Sequence, residues 1–171
     1  MPIDKLVAPL LRAPLFAGLK PLQIIEIARQ AERHRFRPGE IITRAGEPAH
    51  GAFLVAAGMA DRLAEPGTSD MPDVVQPGSL IGELAMLVEH RYGSTVIARE
   101  RVLCLKILRS TLLAQMQDDI SLAHHFHRHI AERLSQVASE LRRIDDALAA
   151  CGAPLSPPGI EAPATEPAQP A

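Results

Sequence analysis

The chain has 171 residues, 47% of them hydrophobic and 22% charged, and its formal net charge is −2. That composition belongs to a globular chain with a core of its own. A near-neutral charge, aromatics at 3% and no Trp provide neither a field for nucleic acid or anionic lipid nor a base-stacking platform.

Residues 1–20 are apolar but interrupted by Pro2, Pro9 and Pro14. Leu6, Leu10 and Leu11 suit one or two helical turns, and Leu15, Phe16 and Leu19 suit anchors onto a later core. Pro21 then sits at a first-turn position, and Leu22, Ile24, Ile25 and Ala28 carry helical spacing to about Ala31. From Glu32 the pattern changes to short runs at 34–37, 41–43, 53–56, 59–63, 74–75, 94–97 and 101–108. Turn signals at Pro38-Gly39, Gly46-Glu47-Pro48, Gly58, the polar break 65–70 and Pro77-Gly78 divide them. Strands this short, with turns this regular, predict an antiparallel β-roll of jelly-roll type and exclude a doubly wound sheet. A short helix is expected at 110–116 with Ser110 as its N-cap, and a long one at 120–150. The fold class is therefore α+β, a β-roll flanked by an N-terminal helix and by short and long C-terminal helices.

In the long helix Ile130, Leu134, Val137, Leu141, Ile144 and Leu148 recur at alternating steps of four and three. Arg133, Gln136, Glu140, Arg143 and Asp146 keep the flanks polar, so the stripe is the narrow seam of a coiled coil and predicts a homodimer. The tail, 151–171, holds six of the fifteen prolines among Ala, Glu and Ser, a composition expected to stay disordered. The expected organisation is a lead at 1–20, the roll with its flanking helices at 21–118, the dimer helix at 119–150 and the tail. Cys104, in an apolar run, and Cys151 have no pairing logic and fit a reducing compartment. No apolar stretch approaches the ~20 residues that span a bilayer, and no signal-peptide core is present, so a cytoplasmic location without membrane attachment is expected.

The most informative stretch is 77–98, PGSLIGELAMLVEHRYGSTVIA. Gly82 precedes a helical start at Glu83-Leu84-Ala85, where free first-turn amides suit an anion and the missing Cβ permits close approach. Glu83 can accept from a sugar hydroxyl, and Arg91 can pair with a phosphate in two-pronged fashion. Neither a Rossmann nor a Walker glycine spacing is present. This stretch, with Pro38-Gly39-Glu40, Gly46-Glu47-Pro48 and Phe53-Leu54-Val55 followed by Gly58, resembles the cyclic-nucleotide-binding domain family. The resemblance runs from about residue 14 to 148.

In that family the Glu after the cassette Gly holds the ribose 2′-hydroxyl, and an Arg nine or ten residues on pairs with the cyclic phosphate. By position the resemblance implies Gly82, Glu83, Leu84 and Ala85 as ligand-binding. Nine residues on from Glu83 stands Tyr92, ten on Gly93, and Arg91 comes at eight. Either Arg91 is aimed inward, with Ser94 and Thr95 supplying hydroxyls, or Tyr92 points into the pocket as a neutral phenol. The long helix is similar to the dimer helix of catabolite-activator-type regulators. There Val137 and Ala138, with Ser135 and Ser139 nearby, occupy the base-contacting positions, a departure that leaves cAMP versus cGMP open. The tail at 151–171 stands where the DNA-reading half of such regulators begins, and its composition is not expected to form a helix-turn-helix, so no DNA partner is expected.

His125 and His129 share a helix face within the cluster His124, His125, His127 and His129, but no HExxH or cysteine partner accompanies them, so no metal site is expected. His127 falls on the extension of the seam. No nucleophile elbow or paired carboxylates with a task stand out, so no enzyme and no cofactor are expected. Two functions remain. One is a cyclic-nucleotide sensor whose helices shift on binding cAMP or cGMP to engage an effector protein. The other is a dimeric scaffold with a degenerate pocket, with a regulatory domain of a channel or transporter as a variant.

Overall fold

The computed structural model describes residues 4–63 and 72–150; the tail expected to be disordered lies outside them. They divide into two units, one running to His129 and one from Ile130 on. The first unit begins with α1 (Asp4–Arg12), which contains Pro9, and a 3-10 turn at Pro14–Phe16. Helix α2 (Pro21–Gln30) follows, with Pro21 in its first turn. The roll comprises β1 (Glu32–Phe36), β2 (Ile41–Thr43), β3 (Pro48–Ala49), β4 (Gly51–Ala57), β5 (Ala60–Arg62), β6 (Asp73–Val75), β7 (Leu80–Ile81), β8 (His90–Arg91), β9 (Val96–Ala98) and β10 (Val102–Leu108). A 3-10 turn at Glu83–Met86 separates β7 from β8. Helices α3 (Arg109–Asp118) and α4 (Ile120–Ala150) end the described chain.

All described pairings are antiparallel. One sheet runs β1-β10-β4-β7, a second β2-β9-β5-β6, and β3 pairs β8. Two strands serve both cores because side chains alternate across a strand. On β4, Ala52 and Leu54 face a cluster with Leu10, Phe16, Ile27, Leu112 and Phe126, under the helices. Phe53 and Val55 face the other way, into a cluster with Val75, Ile81, Val96 and Cys104 between the sheets. On β10, Leu105 and Ile107 join the first cluster while Val102 and Cys104 join the second.

The structure corrects the entry into α3. Ser110 is not the N-cap; the helix starts at Arg109, and Leu108 precedes it with no side-chain cap. The reason is that β10 runs straight into the helix, and Arg109 fastens the junction. Its N–H donates to His50 O at 2.9 Å, and its Nη1 donates to Ala49 O and Val88 O, each at 3.1 Å. Helix α4 starts where the sequence places it, and Asp119 caps it. The Asp119 carboxylate accepts from the Ser121 and Leu122 N–H groups, the Ser121 hydroxyl and Gln23 Nε2. These bonds, the Ser121 hydroxyl and Gln23 foremost, hold its carboxyl far below the usual range. In the second unit Leu134, Val137, Leu141, Ile144 and Leu148 are exposed. Among the described residues no helix is long and apolar enough to cross a membrane.

Candidate functional site

The cassette begins where β7 ends. Its central strands fix it, because Phe53 of β4 pairs with Ile81 and so delivers Gly82 beside the start of β4. Gly82 adopts φ 71° and ψ 40°, the left-handed region that favours glycine. The chain then makes one 3-10 turn rather than a full helix, with the Ala85 N–H donating to Gly82 O at 2.9 Å and Leu87 N–H to Leu84 O at 3.0 Å. Ala85 and Met86 are buried and pin the turn to the roll, leaving Leu84 exposed. Glu83 is half-buried, and its Oε1 lies 3.8 Å from His129 Nε2 near the base of α4.

The far side of the cassette is built by the β3–β8 ladder, whose pairs are Pro48 with Arg91 and Ala49 with His90. Period-two alternation there sends Arg91 and Tyr92 to opposite sides. Arg91 is exposed, and its Nη1 donates to Gly46 O at 2.6 Å. Tyr92 turns inward and is 8% exposed. Its hydroxyl donates to Gly51 O at 3.0 Å, and its ring stands 6.4 Å from that of Phe53. Burial, with the Glu47 carboxylate adding to it, raises the phenol above its ordinary 10.0. The ring lies directly on the cassette glycine. A Cβ at Gly82 would stand 2.7 Å from Tyr92 Cε1 and 2.9 Å from Cδ1.

The eight ligand-binding candidates therefore divide. Gly82, Glu83, Leu84 and Ala85 form one continuous turn, and Tyr92 meets it. Arg91 does not. The Thr95 hydroxyl accepts the N–H of Ala45 in the loop after β2 at 3.0 Å, and the Ser94 carbonyl accepts the hydroxyl of Thr43, the last residue of β2, at 3.2 Å. Three residues outside the eight candidates take part: Gly51, which receives the phenol and carries no motif of its own in the sequence, Phe53 and His129. A Cβ at Gly51 would lie 2.1 Å from Ile107 O, so only glycine lets β4 and β10 approach there. The other histidine of the i, i+4 pair is spent elsewhere. His125 is buried and its Nε2 donates to Leu15 O at 2.8 Å.

Comparison with known proteins agrees with this architecture. The N-terminal domain of a transcriptional regulator from Streptomyces coelicolor A3(2) superposes with a TM-score of 0.71 at 26% identity, covering 78% of this chain and 94% of that one. The cyclic AMP receptor protein of Thermus thermophilus is 28% identical over 131 residues, 75% of this chain and 61% of the relative. A cyclic nucleotide-gated potassium channel of Mesorhizobium japonicum is 29% identical over 126 residues, 74% of this chain and 34% of the channel. The chain thus spans less than two thirds of either curated relative. The model of the cyclic nucleotide-binding domain matches residues 33–119, from β1 through α3, and the chain belongs to that family.

Proposed function

We propose that the chain is a regulatory domain of sensor type that takes a cyclic purine nucleotide at residues 82–95 without a charged phosphate clamp, and therefore weakly. One observation carries this reading. The residue nine on from Glu83 is a buried, neutral phenol tied to Gly51 O, and the cation beside it in sequence, Arg91, is bonded to Gly46 O on the outside. Charge-assisted hydrogen bonds are about twice as strong as neutral ones, so a phenol in place of a guanidinium forfeits much of the affinity for a phosphate. Glu83 remains placed to accept from a ribose hydroxyl. A sugar there competes with His129 for the carboxylate, which gives the ligand a differential contact with the base of α4 and so a means of switching. The signal then passes along α4, which pairs with a second copy through Ile130, Leu134, Val137, Leu141, Ile144 and Leu148, to an effector protein. The similarity to the Thermus cyclic AMP receptor protein supports the ligand class. The reading assigns no catalysis.

Calorimetric titration of cAMP and cGMP into the unmodified chain and a Tyr92→Arg variant tests it. Restoring two charged hydrogen bonds is worth about 2 kcal/mol, so the variant is expected to bind about thirtyfold more tightly. Low-micromolar binding by the unmodified chain would refute the weak-clamp reading. A second reading, a dimeric scaffold with a closed cassette, is favoured by the Tyr92–Gly51 bond, and binding by neither protein would select it.

A further inference from the structure

Sheet β1-β10-β4-β7 is only partly covered by helices. Leu105 and Ile107 of β10 are buried beneath them, but Leu103, on the same face, is only partly buried. Around it lies a groove of about 930 Å³ with Leu103 and Ala57 in its floor and Arg35, Arg37 and Arg101 on its walls. Arg35 is paired with Leu103 and Arg33 with Leu105, so both point to this face at the outer rim of the sheet. His34 and Phe36 point to the opposite face, where both meet Phe53.

The four arginine side chains, Arg33, Arg35, Arg37 and Arg101, are exposed and make no ion pair or hydrogen bond with another described residue. The carboxylate in the groove wall, Glu40, is engaged with the backbone, accepting the Arg37 N–H at 2.8 Å. In addition, β1 is an edge strand, with β10 on one side and no described strand on the other. Two other exposed arginines of the roll do have acidic partners, Arg99 in Asp61 and Arg44 in Glu47.

We propose that this edge is a docking site for an extended acidic segment of a partner protein, which adds to β1 as a further strand and sets alternate carboxylates against Arg33, Arg35 and Arg37. Charge complementarity selects an anion. The strand edge selects a peptide, because it presents donors and acceptors in alternation and only another backbone satisfies both. A phosphodiester chain supplies acceptors alone and leaves the edge carbonyls unmet. The period-two spacing of the arginines matches the residues that share one face of an added strand. The site is separate from the cassette and does not depend on what the cassette binds.

The probe is a short blocked, fluorescein-labelled peptide alternating glutamate with valine, followed by anisotropy at low salt. Expected are saturable binding that salt weakens, a loss of at least about tenfold in an Arg35→Glu, Arg37→Glu variant, and a similar loss when the peptide's backbone amides are N-methylated. Circular dichroism checks that the variant is folded, and Arg101→Glu replaces it if it is not. No saturable binding, or equal binding by the variant, overturns the proposal. So does equal binding of the N-methylated peptide, which would leave charge without strand pairing. Tighter, arginine-dependent binding of a DNA duplex or of phosphatidylserine vesicles would also overturn it and assign the groove to those ligands.

Discussion

The contact between Gly82 and Tyr92 can be tested through stability, without any ligand. Gly82→Ala meets two separate costs. The first is conformational, since alanine at φ 71° costs about 1–2 kcal/mol. The second is steric. The new Cβ would lie 2.7 Å from Tyr92 Cε1, and the ring cannot swing aside while its hydroxyl is held by Gly51 O and its face lies near Phe53. Overpacking of that kind costs about 1–3 kcal/mol, so the substitution should destabilise by about 3 kcal/mol in all. Tyr92→Val ends at Cγ, short of both ring atoms, and removes the steric part. In that background Gly82→Ala should cost only its conformational 1–2 kcal/mol. Urea unfolding of the four proteins yields the coupling, expected at about 1–3 kcal/mol. Additivity within about 0.5 kcal/mol would mean that the phenol does not rest on the glycine, and the account of a ring-filled cassette would fail.

The seam of α4 is tested by a Leu134→Glu, Leu141→Glu variant, which should sediment as a monomer where the unmodified chain sediments as a dimer. Burial pushes the Cys104 thiol from 9.0 up to about 12, so in a Cys151→Ser background native protein at pH 8 should resist a thiol reagent that urea-unfolded protein consumes at once. The sign of the linked effect is fixed: a raised thiol pKa contributes stability below about pH 9, and that contribution is lost as pH rises towards 12. For the depressed carboxyl of Asp119 the sign is opposite. Its contribution is complete above the ordinary carboxylate range and is lost as pH falls, so Asp119→Asn should flatten the acid limb of a stability–pH profile measured in urea.

Most of the fold was legible because its signals are local. Turn glycines and short apolar runs mark the strands of the roll, and the helix spacing of α4 survives without partners. Elements two residues long were not legible. The β3–β8 ladder has no pattern of its own, and it is this pairing that sends Arg91 outward and Tyr92 inward. Ser94 and Thr95 read as the start of a strand, yet they bond to Thr43 and Ala45 at and just past the end of β2, and β9 begins only at Val96. In the cassette, glycine and glutamate could be placed by position alone. The phenol's partner, Gly51, could not, because a contact across 41 residues depends on tertiary register. The groove at β1 was hidden for the same reason, since its arginines come from both ends of the roll.

Because β4 and β10 each present one row of side chains to the helix side and another to the space between the sheets, neither core can loosen while the other stays packed. The amides of these two strands should therefore exchange with solvent only when the whole of the first unit opens, and they should report its global free energy. The rim at β1, with one hydrogen-bonded edge, would exchange through smaller openings. An occupant of that edge would be read most directly as slowed exchange along residues 32–36.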